Sequence, residues 1–200
     1  MPEERWESLP DGSLAEVALA GRSEPCEELV RRHQAPVYSH LLRLVRNKDD
    51  AMELAQDVFL KAFAHLAQYD PARPFRTWLL SIATHTAFNH LEARRVRRIV
   101  SSHPEVEIAG MGADPGAARP ASGRWSPPAQ ASRRELLERI DAALVKLSDK
   151  ARAIFQLRYH QGLSCEEVSR ASGESLSNVK VSLLRTRERL RQELGEGIGI

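Results

Sequence analysis

Between residues 50 and 66 the apolar side chains return at helical intervals. Ala55, Val58, Phe59, Ala62, Phe63 and Leu66 fall at i, i+3, i+4, i+7, i+8 and i+11, the stripe of an amphipathic helix with one buried side. Asp50 followed three residues later by Glu53 has the spacing of a capping box and predicts the helix start. Upstream, Val30, Val37, Leu41 and Leu44 mark another helix. A third is predicted from Phe75 toward Arg98, after the turn-forming run Tyr69 to Pro74. The two-residue alternation of strands is absent.

The periodicity stops after Val100. Ser101 to Ser132 holds five prolines and four glycines, too little apolar surface to offset the entropy of ordering, and reads as a flexible linker. Beyond it the punctuation is clear. Ser148 caps a helix through Ile154, Leu157 and Tyr159 that Gly162 ends; Ser164 and Glu167 form a capping box; the short helix they open stops at Gly173; Ser175 caps the next. Two short helices joined by a Gly-containing turn are a helix-turn-helix layout. The expected fold is all-α, with two small helical domains: an N-terminal bundle over 13–100 and a C-terminal helix-turn-helix over 133–195, joined by the linker 101–132.

Composition narrows the function classes. The chain of 200 residues has 29 Lys and Arg against 27 Asp and Glu, for a net charge of +2, so the distribution of charge carries more than its sum. Asp49, Asp50, Glu53 and Asp57 lie together with no base among them. Lys180, Arg185, Arg187, Arg189 and Arg191 face only Glu188, and Arg94, Arg95, Arg97 and Arg98 form a second basic knot. Such segregation suggests a polyanion at one surface and a different partner at another; each cluster alone is equally consistent with a solvated helix face. No apolar run is long enough to span a membrane, and the first residues lack the layout of an export signal, which predicts a cytoplasmic location. Cys26 and Cys165 are too few for a disulfide framework or a thiolate metal site.

On a wheel of 100° per residue the last helix divides cleanly. Val179, Leu183, Thr186, Leu190 and Leu194 form a packing side. Ser177, Asn178, Val181, Leu184, Arg185 and Glu188 form the other, flanked by Lys180 and Arg187. Short polar groups mixed with cations suit a helix in the major groove. The acidic segment admits two readings, a Mg²⁺ cage or a solvated or protein-docking face; no second acidic motif converges on it, which favours the latter. The third helix interleaves Thr77, Ser81, Thr84, His85 and Phe88 with Trp78 and Asn89, and Tyr69 precedes it. Rings beside hydrogen-bonding groups can stack on and read unpaired bases, and they are as readily core. His33 and His40 share a helix face with no carboxylate in the pattern, which reads as structural. No phosphate-binding loop or nucleophile elbow is present, and neither catalysis, a metal nor a cofactor is predicted.

Four blocks in order resemble one family: Cys26-Glu-Glu-Leu-Val-Arg-Arg-His33 with Pro36-Val-Tyr38; Asp50-Ala-Met-Glu-Leu-Ala-Gln-Asp-Val-Phe-Leu-Lys-Ala62; Phe75-Arg-Thr-Trp-Leu-Leu-Ser-Ile-Ala83; and Gly162-Leu-Ser-Cys-Glu-Glu-Val168 with Val179-Lys180 and Arg185-Thr-Arg-Glu-Arg-Leu190. The chain resembles the extracytoplasmic-function (ECF) group of bacterial RNA polymerase sigma factors. The resemblance implies that the protein is not an enzyme. It implies binding to core RNA polymerase, at the β′ clamp helices and the β subunit, through Asp49, Glu53, Gln56 and Asp57. It places Lys61, Tyr69, Thr77, Trp78, Ser81, His85, Asn89, Arg94 and Arg95 at the −10 promoter DNA, which is opened by capturing a flipped base. Ser177, Asn178, Lys180, Val181, Leu184, Arg185 and Arg187 would read the −35 element. It further implies an anti-sigma factor. The sequence departs from the family pattern at His85, where Asn is common, and at Val181, where Ser is common. A free-standing helix-turn-helix regulator and a Mg²⁺-dependent DNA-processing enzyme are the alternatives.

Overall fold

The structure is a computed structural model, described for residues 6–101, 140, 143–144 and 146–194. Every regular element among these is helical. A short 3₁₀ turn at Trp6–Ser8 leads into α1 (Asp11–Leu19), α2 (Glu24–Val45) and α3 (Lys48–Ala64). A second 3₁₀ turn at Leu66–Gln68 precedes α4 (Phe75–Ser101), and α5 (Asp149–Tyr159), α6 (Cys165–Ser172) and α7 (Leu176–Leu194) follow. No described helix is long and apolar enough to cross a membrane. The expected linker lies outside the described residues.

The stripe read from the sequence is the one that packs. Ala51, Leu54, Val58, Phe59 and Ala62 of α3 are buried against Leu29, Val37, Leu41 and Leu44 of α2 and Leu79, Ala83 and Ala87 of α4, and Leu14 and Ala15 of α1 complete this core. The start of α3 differs from expectation. Its cap is Asn47, whose side-chain carbonyl accepts from the N–H groups of Asp49 and Asp50 at 2.8 and 3.0 Å. Asp50 is thereby freed for His90 on α4, at 3.2 Å, and for Arg94, at 3.8 Å. Arg46 before it closes α2 in the left-handed conformation, with φ of 60°.

The expected N-terminal boundary at residue 13 cuts through an element that anchors the bundle. Arg32 on α2 binds Glu28 through Nε at 2.6 Å and Asp11 of α1 through Nη1 at 2.8 Å. The same guanidinium donates to the carbonyls of Trp6, Glu7 and Leu9. Asp11 holds His33 with its second oxygen, at 2.7 Å, so His33 does have a carboxylate partner, brought from 22 residues away. Glu28 is almost wholly buried; the hydrogen bonds from Arg31 and Arg32 outweigh that burial and hold its carboxyl below the usual range.

In the C-terminal module the caps read from the sequence are present. Ser148 accepts from Ala151 N at 3.3 Å. Ser164 and Glu167 cap each other reciprocally, Gly173 ends α6 at φ 71°, and Ser175 accepts from Asn178 N at 3.2 Å. Ile154, Leu157, Leu163, Val168, Ala171, Val179 and Leu183 form the core of these three helices.

His40 is fully buried. The Thr84 hydroxyl donates to the Leu80 carbonyl at 2.8 Å and accepts from His40 Nε2 at 3.0 Å, which leaves Nδ1 with no acceptor for a second proton. Burial, with nearby His160 adding to it, pushes the imidazole down to about 4.

Two outcomes test these interactions. Because the folded value of His40 lies below the unfolded one, the unfolded chain binds the extra proton between about pH 4 and about 6.5. About 3 kcal/mol of stability is present above that window and is lost as pH falls through it. Urea unfolding at a series of pH values should show this dependence in the wild type and lose it in His40→Gln. Arg32→Ala leaves Glu28 to Arg31 alone and removes the donors to Asp11 and to the Trp6, Glu7 and Leu9 carbonyls; it should lower the unfolding free energy by about 2–3 kcal/mol in the same assay at pH 7.

Candidate nucleic-acid interface

Three surfaces carry the residues singled out above. The first is a groove of about 390 Å³ between α3, the turn after it and α4, lined by Lys61, His65, Gln68, Trp78, Ser81, Ile82, His85, Thr86 and Asn89. Six of its nine residues come from α4 at helical spacing, so one rigid element sets the floor. Trp78 is half-buried and held by Tyr69 and Phe75, with ring centroids 5.3 and 5.5 Å away. Lys61 Nζ donates to Thr86 Oγ1 at 3.3 Å across the groove. His85 Nδ1 donates to the Ser81 carbonyl at 2.8 Å, which fixes the ring. Ring, ammonium, hydroxyl and imidazole thus converge at a site large enough for a nucleobase.

Not every expected residue lies there. Tyr69 is buried in the N-terminal core, its ring against Phe75 and its hydroxyl donating to the Arg73 carbonyl at 2.7 Å. It organises the turn and positions Trp78 rather than lining the groove. An aromatic ring gains more from an apolar core than from water, and its hydroxyl can be satisfied locally. Thr77 is also buried, donating to Glu167 of α6 at 3.0 Å. Arg94 is half-exposed and leans on Asp50, and Arg95 is exposed beyond it on the same helix. His65, Gln68, Ile82 and Thr86 were missed, because the turn after α3 brings two of them in and no local pattern records that.

The second surface is the outer side of α7. Val179, Leu183, Thr186 and Leu190 are buried, whereas Ser177, Asn178, Lys180, Val181, Leu184 and Arg185 are exposed and Arg187 is half-buried. The third is the outer stripe of α3. Asp49, Glu53 and Gln56 are exposed and Asp57 is half-buried. Met52 and Leu60, exposed by 58% and 69%, lie among them. A face that mixes carboxylates with large apolar groups is better suited to a protein partner than to solvent alone. Those two apolar residues were legible as off-stripe positions and went unused.

The two modules pack against each other through α4 and α2. Leu80 is fully buried in the C-terminal core, and Ala153 of α5 is fully buried in the N-terminal one. Around them, Arg76 donates to Gln161 Oε1 at 2.6 Å, Gln161 Nε2 to the Pro36 carbonyl at 3.4 Å, and Thr77 to Glu167. The Ser164 N–H, aided by Thr77, holds the Glu167 carboxyl below the usual range. A Cβ on Gly173 would lie 3.3 Å from His85 Nε2. The joint is imperfectly satisfied: Arg76 Nε, Arg152 Nε and Gln156 Oε1 are buried with no protein partner among the described residues.

The comparisons with known proteins agree with this arrangement. Residues 29–97 match the family model for Sigma-70 region 2, and residues 137–190 match Sigma-70, region 4. The sequence is 31% identical to the RNA polymerase sigma factor YlaC of Bacillus subtilis, over 84% of this chain and 91% of that one. It is 30% identical to the ECF RNA polymerase sigma-E factor of Escherichia coli, over 91% and 93%. The chain belongs to the ECF group of the sigma-70 family. It is a sigma factor, whose role is to direct RNA polymerase to promoters. Among solved structures, CnrH in complex with the cytosolic domain of CnrY matches with a TM-score of 0.63 at 25% identity, over 94% of this chain and 99% of that one.

Leu80→Asp tests the joint between the modules. An aspartate there places a carboxylate in the C-terminal core when the modules are together and in water when they separate. Small-angle scattering should show a larger radius of gyration than the wild type, with helical circular dichroism retained. An unchanged radius would show that Leu80 does not hold the modules together.

Proposed function

We propose that this sigma factor opens its promoters by capturing a flipped nontemplate base in the groove beside Trp78, while α7 reads duplex DNA upstream and the outer stripe of α3 docks on core RNA polymerase. The convergence of Trp78, Lys61, Ser81 and His85 in one nucleobase-sized groove carries this reading. Unstacking a base costs a few kcal/mol, and a ring that restacks it, worth about 1–3 kcal/mol, offsets much of that. Lys61 supplies charge for the neighbouring phosphate and His85 Nε2 a hydrogen-bonding group for the base edge. Tyr69 acts through Trp78, as a positioning residue.

The α3 stripe supports polymerase docking. Met52 and Leu60 give apolar area, and Asp49, Glu53, Gln56 and Asp57 give orientation and bar that face from DNA by repulsion. The packed joint supports an inactive form. In it Thr77 is engaged by Glu167 and Gly173 of the C-terminal module lies beside His85, so promoter opening requires α6 to leave α4. An anti-sigma factor that spans both modules would stabilise the packed form; the matched CnrH structure is one with the cytosolic domain of CnrY bound. The protein works without catalysing a reaction of its own, in the cytoplasm. A free-standing regulator would need neither the α3 stripe nor the groove.

The test is transcription with core polymerase on promoters selected from a random duplex library. Trp78→Ala should slow open-complex formation about tenfold or more, and a template already mismatched across the downstream element should restore it. Loss that persists on the mismatched template would place Trp78 outside base capture.

A further inference from the structure

We propose that Val181 and Leu184 read the C5-methyl groups of thymines on neighbouring base pairs of the upstream promoter element. The inference deepens the reading that α7 docks in duplex DNA and rests on it.

Both side chains lie on the exposed side of α7, Val181 at its middle. At 100° per residue, Val181 lies about 170° around the helix from the centre of the buried stripe Val179, Leu183, Thr186 and Leu190, and Leu184 about 130° from it in the other direction. They are 44% and 56% exposed. A helix laid in the major groove turns the stripe opposite its packing side toward the base edges and leaves its flanks to the phosphates. Here Val181 and Leu184 share that stripe with Ser177 and Glu188, and its flanks carry Lys180 and Arg185, all of them exposed.

The nearby amide is engaged through one of its donors. Asn178 Nδ2 donates to Glu174 at 3.3 Å, and the same carboxylate accepts from Lys150 at 2.8 Å. The helix therefore presents methyl groups where a polar reader would present hydrogen bonds. One exposed valine is ordinary; two large apolar residues one turn apart, centred between cations, are complementary to an apolar spot on a polyanion. The floor of the major groove offers one such spot, the thymine C5-methyl. Three residues of helix rise about 4.5 Å against about 3.4 Å per base-pair step, which places the two methyls on adjacent pairs or one pair apart, on either strand. Covering one methyl is worth about 0.8 kcal/mol, about fourfold in affinity.

The full-length protein bound to core RNA polymerase is used to select binding sites from a random-sequence duplex library. Each thymine of the enriched upstream element is then replaced by uracil, which pairs identically and lacks only the methyl. Two thymines within two base pairs of each other should each show about a fourfold loss on replacement. The variant Val181→Ser/Leu184→Ser, altered only at exposed positions and checked for unchanged thermal unfolding, should bind thymine and uracil versions of that element equally. An enriched element with no methyl-sensitive thymine, or sensitivity that survives in the variant, overturns the inference while leaving DNA docking by α7 intact. Failure to enrich any upstream element overturns the docking reading and this inference with it.

Discussion

Leu79 and Leu80 are consecutive on one helix, and both are fully buried, in different cores. Side chains 100° apart can both be dry only where the helix is covered from two directions. α2 and α3 pack on one side of α4 and α6 packs on the other, while α5 rests on α2. This double burial decides which parts of α4 stay accessible. The remaining sector holds Trp78, Ser81, His85 and Asn89 over the groove, with the exposed arginines beyond. Remove the C-terminal cover and the accessible sector widens to include Thr77 and Leu80.

The chemistry of that cover suits a contact made and broken. Its apolar content is small, centred on Leu80 in one direction and Ala153 in the other. Around them run hydrogen bonds whose partners are all groups that water can satisfy: a guanidinium, amides, a hydroxyl and a carboxylate. Several buried donors and acceptors remain unpaired, each a cost that opening relieves. Within the N-terminal bundle His40 Nδ1 is also buried without a partner among the described residues, but the apolar core is larger. Glu28, Arg32, Asp11 and His33 interlock with nearly every lone pair used, and the aromatic cluster of Tyr69, Phe75 and Trp78 has no wet edge but the groove. The bundle is built to persist and the joint to yield.

Charge is laid out so that the surfaces do not compete. The carboxylates of α3 point away from the groove and bias that helix toward protein, while the cations cluster at the end of α4 and along α7. Asp50 is the exception that shows the rule. It lies on the acidic helix, but its partners are His90 and Arg94, and it spends its charge on holding α4 in place.

Periodicity and caps were legible in the chain itself. The helices other than α1, the turn at Gly173, the two faces of α7 and the acidic stripe all follow from interactions within about four residues, where spacing alone sets geometry. Tertiary structure decided what those residues touch. Tyr69 and Thr77 read as candidates for DNA contact, and packing sent both inward, one to nearby Phe75 and one to Glu167, ninety residues further on. Asn47 rather than Asp50 caps α3, and the aspartate instead meets a histidine and an arginine forty residues on. His33 acquired its carboxylate from α1, and His65 and Gln68 reached the groove through the turn after α3. Each of these depends on which surfaces meet after the helices form, and side chains far apart in sequence leave no periodic trace of one another.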